Sequence, residues 1–207
     1  GDNQMKLAKR QLVKGFLQIV IPVTDELKAL TDMDFGAYIM DQILQDLTED
    51  WTEDLIYGTG TDDKIKGITV GASVVEYEKD KATTGLITAI KKLNGKFRRG
   101  AKLYVAQDVY DSIFFDTDAN GNFKYPVFNN STGIISIGVV RLEMDENLKE
   151  GEFLYGNVAN YFKANSLKPL SIETDRHARK GITDYVANEF CATSPFAGAF
   201  VHGKAKE

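Results

Sequence analysis

The chain has 207 residues, with 25 Lys or Arg against 30 Asp or Glu, so its net charge is −5. Hydrophobic residues make up 43% and charged residues 27% of the sequence, values that are ordinary for one globular domain or two small intertwined ones and that exclude a disordered chain. The acidic balance argues against a protein that grips the phosphate backbone of nucleic acids irrespective of sequence.

The cysteine content and the apolar pattern indicate in which cellular compartment the protein is made. The single cysteine, Cys191, excludes an intrachain disulfide and gives no sign of an oxidising environment. No apolar run approaches the roughly 20 residues that cross a bilayer, and the start of the chain, GDNQMKLAKR, lacks the hydrophobic stretch of a signal peptide. We expect a protein made in a cytoplasm, and we interpret Gly1 as the scar of a cleaved tag or as a processed end.

The first elements are a strand and a long helix. Residues 16–23, FLQIVIPV, form a β-branched apolar run that predicts a strand leading into a turn. Beyond Thr31 and Asp32, either of which can cap a helix, apolar residues recur every four positions and predict a helix at about residues 33–57, ending at Gly58. This stripe consists of Phe35, Ile39, Ile43, Leu47, Trp51 and Leu55, widened by Tyr38, Leu44 and Ile56. The opposite face, interpreted as solvated rather than catalytic or metal-binding, carries Asp41, Asp46, Glu49, Asp50, Glu53 and Asp54.

A glycine-punctuated loop, GTGTDDKIKG, follows at residues 58–67. A phosphate-binding loop would follow a strand and end in Gly-Lys-Ser/Thr, whereas this loop follows a helix and lacks that ending. We therefore interpret it as a structural loop, with an alternating strand behind it at residues 68–78.

The middle of the chain alternates short elements. The pattern predicts a helix at about residues 83–94, a strand at KLYVA and a helix at about residues 108–115 begun by Asp108. Between the first helix and the strand lies a basic cluster around Phe97, made of Lys96, Arg98, Arg99 and Lys102. The cluster is too small to reverse the net charge, but it could meet an acidic partner surface.

Residues 116–127, DTDANGNFKYPV, begin like a calcium-binding loop. Asp116, Asp118 and Asn120 occupy positions 1, 3 and 5, and Gly121 occupies position 6. Position 12 is Val127, which cannot supply the bidentate carboxylate that the ion needs. We therefore expect a solvated Asn-Gly turn between a helix and a strand, with no metal.

The last third of the chain is rich in strand patterns. Strands are expected near residues 134–144, 152–156, 160–164, 169–174, 182–192 and 198–202. With one long helix early and short helices in the middle, this distribution predicts an α+β fold.

No catalytic constellation is evident. His177 lies in a charged turn, where a solvated imidazole is expected, and His202 is expected at the edge of a terminal strand. Cys191 lies in a run that alternates like a half-buried strand, and Ser194 lacks a Gly-x-Ser-x-Gly context. We predict no nucleophile-and-base pair, no cofactor and no enzyme activity.

The order of these elements resembles that of a known family. The segments that carry the resemblance are LIYGTGTDDKIKGI, KLYVAQDVYDSIFFDTDANGNFKYPV, EFLYGNVANYF and LSIETDRHARKGITDYVANEFCATSPFAGAFVHG. Together they resemble the major capsid protein of tailed bacteriophages, the Hong Kong 97-type capsid fold that encapsulin shells share. The resemblance runs from about residue 12 to residue 203, and the helix-to-loop passage into Ile65-Lys66-Gly67-Ile68 is among its most specific parts.

The resemblance implies two domains. Residues 1–70 would form the first part of a peripheral domain with the long helix as its spine, and residues 71–164 an axial domain of mixed sheet and short helices. Residues 165–193 would return to the peripheral domain as strands, and residues 194–207 would add the C-terminal strand of the axial domain. Subunits of the family also carry an N-terminal arm and an extended loop ahead of the spine helix, of which residues 6–23 could supply at most the returning strand. The chain as given is therefore expected to form a monomer or a small, concentration-dependent oligomer in dilute solution.

The function implied by the resemblance is structural. The protein would be the major capsid (head) protein of a phage or prophage, synthesised in the bacterial host cytoplasm. Pentamers and hexamers of it would self-assemble into an icosahedral virion shell that encloses DNA without binding it specifically. Scaffold, portal or decoration proteins are candidate further partners, and no membrane is involved.

Candidate assembly contacts follow from the loops that the resemblance places at subunit edges. They are Gly58, Thr59, Gly60, Asp62, Asp63, Lys64, Arg98, Arg99, Asp118 and Asn120. The covalent crosslink of some family members is not expected here, since Lys180 stands about where their asparagine would be. Two alternatives stay open: an encapsulin-type nanocompartment shell protein, and an α+β enzyme with an unrecognised site.

Overall fold

Helices and strands are mixed along the whole chain. The computed structural model describes residues 12–30, 35–122, 135–137 and 140–206. The elements in chain order are β1 (Val13–Thr24), α1 (Asp25–Leu30), α2 (Phe35–Tyr57), β2 (Ser73–Glu78), α3 (Ala82–Lys92), β3 (Lys102–Val105), α4 (Gln107–Phe114), β4 (Ile135–Ile137), β5 (Val140–Met144), β6 (Glu152–Gly156), α5 (Val158–Tyr161), β7 (Phe162–His177), β8 (Ile182–Pro195) and β9 (Phe200–Lys206). None of the described helices is both long enough and apolar enough to cross a membrane.

The chain divides into two compact units. The first consists of Gly1–Gly67 and Ala164–Ser194, and the second of Ile68–Lys163 and Pro195–Glu207. Each unit therefore joins segments that are far apart in sequence, so that neither could be cut out as one continuous stretch.

The first unit packs α2 on a three-stranded sheet with strand order β1-β8-β7. β1 pairs antiparallel with β8 and places Ile19 opposite Ala187. Successive side chains of a strand point to opposite faces, so only one face of β1 reaches the core. The buried cluster between sheet and helix is Ile19, Val23, Ile39, Ile43, Leu47 and Ala187.

The long helix is confirmed, and its core stripe is narrower than predicted. Ile39, Ile43 and Leu47 are buried, as the four-residue period indicates. Tyr38 and Leu44, which were expected to widen the stripe, are instead about half exposed. Ile56, the third residue expected to widen the stripe, is buried. The predicted start of the helix falls at residues 31–34, outside the described residues.

The turn expected after the first strand is a helix start. The Leu27 amide donates to the Thr24 hydroxyl over 3.2 Å, which is the contact of an N-cap. The Asp25 amide donates to the Gly181 carbonyl over 2.8 Å, which ties this helix start to the β7–β8 connection. The short helix α1 thus begins where the strand ends.

The second unit is built on a six-stranded mixed sheet with strand order β2-β9-β6-β3-β5-β4. β9 pairs parallel with β2 and antiparallel with β6, and β3 pairs parallel with β5. Helix α3 packs against β2 and β9. Large side chains at or near zero exposure fill the core: Leu86, Leu93, Leu103, Val105, Ile113, Phe153, Tyr155, Phe200 and Val201.

Two reciprocal phenylalanine–glycine pairs join β6 to β9. Phe153 lies directly opposite Gly203, and Gly156 lies directly opposite Phe200. A Cβ atom on either glycine would overlap the facing phenylalanine ring. Each ring therefore covers the bare backbone of the partner strand, and because the pairs lie on opposite faces, both faces of β6 are buried.

Several strand predictions need correction. The run at 134–144, expected as one strand, contains β4 and β5, which pair antiparallel with Ile137 opposite Val140. The expected strand at 160–164 begins with the short helix α5, because the Asn157 side chain accepts the Asn160 amide and caps a helical turn. The strands expected near 160–164 and 169–174 then belong to one strand, β7.

His202 is not an edge residue. It lies on β9, between β2 and β6, and is only 3% exposed. Sequence position near the C-terminus suggested an edge, but a parallel partner from residues 73–78 covers the strand. Burial lowers the pKa of His202, although the Glu152 carboxylate 3.0 Å away favours its charged form.

Candidate functional surfaces

The predicted structural loop at residues 58–67 is a hairpin. α2 ends where the Gly58 amide donates to the Asp54 carbonyl over 2.8 Å. The Gly67 amide then donates to the Gly58 carbonyl over 2.8 Å, and Thr59 pairs with Lys66 in an antiparallel bridge. These contacts form a short two-stranded stalk at the end of the helix.

The stalk is anchored on β1 and β8. The Thr193 hydroxyl accepts the Lys66 amide over 3.0 Å and donates to the Lys66 carbonyl over 2.8 Å. The Phe16 amide donates to the Asp63 carbonyl over 2.8 Å. Gly15 permits this approach, since a Cβ there would lie 2.6 Å from the Ile65 nitrogen. Because Thr193 is fully buried, the clamp holds the loop firmly in place.

Sequence reasoning missed Thr193 and Gly15. The Thr193–Lys66 contact spans 127 residues, and neither residue type carries a local signal. Only the pairing of β1 with β8 brings the two anchors beside the loop.

The tip of the loop is a turn with left-handed backbone. The Lys64 amide donates to the Thr61 carbonyl over 3.0 Å, while Asp62 and Asp63 have φ of 54° and 61°. Two successive positive φ values define a type I′ turn, which normally holds Asn-Gly. The tip residues Thr61 to Lys64 are exposed, and Lys64 lies 3.4 Å from the Asp54 carboxylate. The loop thus presents two aspartates on a fixed, strained turn.

Replacing Asp62 by Asn and Asp63 by Gly is expected to stabilise the first unit. The double variant should raise the free energy of unfolding by about 1 kcal/mol, because Asn-Gly adopts the left-handed turn at little conformational cost. Guanidinium unfolding followed by the fluorescence of Trp51, the only tryptophan, measures this. Asp63→Val is the control and should destabilise, since a β-branched residue resists positive φ. A double variant less stable than the parent would contradict the turn assignment.

The basic cluster is largely engaged within its own unit. The Arg98 guanidinium donates to the Leu93 carbonyl over 2.8 Å and to the Lys91 carbonyl over 2.7 Å, and so caps the end of α3. Lys102 pairs with Glu143 over 3.0 Å, and the Lys96 ammonium lies 4.6 Å from the Phe97 ring centre. Arg99 is exposed, and no described residue pairs with its guanidinium. Arg99 is therefore the member of the cluster with a charge available to a partner.

Arg98 and Arg99 should differ sharply when each is replaced by alanine. Arg98→Ala should lower the free energy of unfolding by about 1–2 kcal/mol, because two carbonyls at a helix end lose a charged donor. Arg99→Ala, one residue away, should change it by less than about 0.5 kcal/mol. Thermal unfolding followed by circular dichroism measures both, and equal losses would refute the capping role.

The Asp118 carboxylate closes the turn after α4. Its Oδ1 accepts the Asn120 amide over 2.8 Å and the Asn122 amide over 2.9 Å, and the Gly121 amide donates to the Asp118 carbonyl over 3.0 Å. Gly121 has a φ of 80°, in keeping with the predicted turn. In the described part of the chain no three acidic, histidine or cysteine side chains are placed to hold a metal ion. Val127 and the expected strand after the turn lie outside the described residues.

The histidine and cysteine expected to be catalytically inert, His177 and Cys191, are engaged or half-buried. His177, expected to be solvated, is exposed but lies 2.9 Å from the Asp184 carboxylate across the β7–β8 hairpin. Cys191 is half-buried in β8, as predicted, and burial raises the pKa of its thiol. A raised pKa leaves little thiolate near neutral pH, so this cysteine is a poor nucleophile.

A buried tyrosine joins β2 to the loop before β6. The Tyr77 hydroxyl donates to the Gly151 carbonyl over 2.9 Å, and the Gly151 amide donates to the Asp108 carboxylate over 2.9 Å. Burial, with Asp108 and Glu152 nearby, raises the pKa of Tyr77 to about 12. Tyr77 thus stays neutral and serves as a hydrogen-bond donor that holds the sheet to its loop.

One cleft of the second unit is acidic. It has a volume of about 370 Å³, and its polar walls include Asp108, Asp111, Glu146 and Glu150. Neither histidine nor cysteine lines it, so this cleft offers no nucleophile-and-base pair.

The candidate contact residues therefore occupy three separate places. Gly58, Thr59, Gly60, Asp62, Asp63 and Lys64 share the anchored hairpin of the first unit. Arg98 and Arg99 follow α3, and Asp118 and Asn120 occupy the turn after α4. Gly58 is buried at the base of the hairpin, whereas the tips of the three loops are exposed, which suits contact with another macromolecule better than catalysis.

A family model and solved structures match this chain. The model of the "Phage capsid family" matches residues 2–205. Among curated proteins none matches the chain. Solved structures show the same fold: the capsid of an empty GTA particle has a TM-score of 0.76 at 14% identity and covers 100% of this chain and 80% of that one. A structure titled "Gordonia phage Cozz" has a TM-score of 0.75 at 12% identity and covers 100% of this chain and 76% of that one. An encapsulin complex from Synechococcus elongatus has a TM-score of 0.63 at 14% identity, with 92% and 73% covered.

Proposed function

Because the chain belongs to the phage capsid family, we propose that this structural capsid protein is the major head subunit of a phage or prophage, and that it tiles an icosahedral shell enclosing DNA. The observation that carries the proposal is the family match over residues 2–205, which leaves no room for a second large domain within the chain. The two-unit fold with a long helix supports it.

The physical chemistry of the surface suits this role. Copies that close rings of five and six use heterologous contacts, in which one patch meets a different patch of the next copy. Anchored loops with exposed tips, such as residues 58–67, provide such patches, and these contacts need no ligand-binding pocket. The net charge of −5 reduces adhesion of packaged DNA to the container.

In this proposal the first unit is the peripheral domain, with α2 as its spine, and the second unit is the axial domain. The anchored hairpin at residues 58–67 contacts neighbouring subunits, and Arg99 and the Asp118 turn offer contacts from the second unit. Scaffold, portal and decoration proteins are the further partners that this role implies, and the protein is made in the bacterial host cytoplasm before it enters the virion.

Sedimentation velocity across a concentration series tests the proposal. We expect the weight-average mass to start near the 23.0 kDa monomer in dilute solution and to rise with concentration, less steeply at high salt, because exposed ion pairs are screened. Electron microscopy of the most concentrated samples should show rings or curved shell fragments. A strict monomer at every concentration contradicts the proposal.

The encapsulin likeness supports a second candidate, a shell that encloses a cargo protein. Particles isolated from the natural source separate the two. Nuclease-protected DNA inside them supports the phage-type capsid, whereas a co-purifying cargo protein without DNA supports the encapsulin role.

A further inference from the structure

The outer side of α2 carries an exposed apolar row beside an acidic row. On a helix, side chains four residues apart stack into rows. Met40 and Leu44 form one such row and are 42% and 47% exposed. The neighbouring row contains Asp41, Glu49 and Glu53, all exposed. We call these five residues the α2 outer face.

The charges on α2 are poorly neutralised by the described residues. The helix contains six carboxylates and no lysine, arginine or histidine. Like charges repel at four-residue spacing, as between Glu49 and Glu53, and the C-terminal half of a helix disfavours anions. Relief comes from the ion pair between Asp54 and Lys64 and from glutamine amides that donate to Asp46 and Glu49. No described residue pairs with the carboxylates of Asp41 and Glu53.

Two basic side chains without an ion-pair partner among the described residues lie at the β7–β8 connection of the same unit, which also carries Asp175 and Asp184. Arg176 is engaged by Asp25 over 3.2 Å, whereas Arg179 and Lys180 are exposed and no described side chain pairs with their charges. Leu27 of α1 is 48% exposed, and α1 is tied to this connection through the Asp25 amide and the Gly181 carbonyl. We call Leu27, Arg179 and Lys180 the hairpin end.

We propose that the hairpin end of one copy docks on the α2 outer face of a second copy. Arg179 and Lys180 meet the acidic row, and Leu27 covers part of the Met40–Leu44 row. The inference rests on the proposed function, since only a protein that assembles with itself presents both surfaces to its partner.

Charge complementarity is what selects a second copy as the occupant. Arg179 and Lys180 on one surface and Asp41 and Glu53 on the other carry opposite charges that no described residue neutralises. No hydrogen bond or ion pair joins the two surfaces within the described residues. Because the surfaces differ, the contact is heterologous, the class that builds rings and shells rather than closed dimers.

Charge reversal tests the contact in the full chain. The hairpin variant is Arg179→Glu with Lys180→Glu, and the face variant is Glu49→Lys with Glu53→Lys. Each variant alone should self-associate about tenfold or more weakly than the parent. In sedimentation velocity, its weight-average mass should then rise only at correspondingly higher protein concentration. An equimolar mixture of the two variants should associate like the parent, since every hairpin end then finds an oppositely charged face. Lys91→Glu with Lys168→Glu makes the same charge change as the hairpin variant at exposed residues outside both surfaces, and it is the matched control for that variant.

Each outcome decides. Recovery in the mixture, with neither variant associating alone, supports the contact. The contact is contradicted if the variants associate like the parent, or if the mixture does not recover. It is also contradicted if the hairpin variant associates like the parent and loses only its ability to retain nucleic acid. Circular dichroism shows that each variant is folded. The face variant should melt higher than the parent, because lysine suits the C-terminal half of a helix and lies three residues from Asp46 and Asp50. A parent that never associates contradicts the proposed function as well, whereas an associating parent with unaffected variants contradicts this contact alone.

Discussion

The Ile43→Ala substitution is expected to lower the free energy of unfolding of the first unit by about 2–5 kcal/mol, because it leaves a cavity at the centre of the contact between α2 and the sheet. Ile43 is fully buried and packs with Ile19, Val23 and Ala187. A protein of ordinary stability has only about 5–15 kcal/mol in total, so the variant should unfold at a much lower guanidinium concentration.

Trp51 reports this unfolding, since it packs against the same cluster and its indole donates to Glu189 over 2.7 Å. Leu44→Ala, at the next residue, is the matched control and should change the free energy by less than about 0.5 kcal/mol, because Leu44 is half exposed. Equal losses from the two substitutions would mean that the helix is rotated relative to the structure described here.

The Gly203→Ala substitution is expected to lower the free energy of unfolding of the second unit by about 1–3 kcal/mol or more, since the added methyl overlaps the Phe153 ring. Phe153 has no exposed surface, and its ring lies 5.5 Å from that of Tyr77, so it has little room to move. Hydrogen exchange of the amides in β6 and β9 should accelerate accordingly.

Phe153→Leu shortens the side chain and should relieve the overlap. We therefore expect the double variant, Gly203→Ala with Phe153→Leu, to lose less stability than the sum of the two single losses. Strict additivity would show that the ring does not cover this glycine. Gly71→Ala is the control without a steric clash, because a Cβ at Gly71 meets open space. Its φ of 86° still strains the backbone of any other residue, so the control measures that strain alone.

Local periodicity predicted the elements whose signal repeats along the chain. The four-residue recurrence from Ile39 to Leu55 specifies a helix, because a strand would also bring the polar residues midway between them, such as Asp41 and Glu49, onto the same face. The helical period of α3 and the two-residue alternation of β8 predicted those two elements in a similar way. The resemblance in element order, together with these patterns, was enough to predict the capsid fold.

Pairing between distant segments could not be predicted this way. The parallel pairing of β2 with β9 joins Ser73 to Val201, and it turns the last strand into an interior one. His202 became buried for that reason, although its local pattern is typical of an exposed chain end. Strand partners depend on long-range packing, which a single sequence does not encode as a periodic signal.

The candidate surfaces divide along the same line. The sequence by itself determined which segments are loops, which helix face is acidic, and that Asp62, Asp63, Arg98 and Arg99 carry charge on exposed connections. Only the tertiary structure decided which of these charges are available, because Arg98 folds back onto the carbonyls of α3 while Arg99 does not. It likewise decided that residues 58–67 are held firmly, since Thr193 reaches the loop across 127 residues through the β1–β8 pairing. Charge and periodicity are local properties of the chain, whereas hydrogen-bond partners and burial depend on what the folded chain brings alongside.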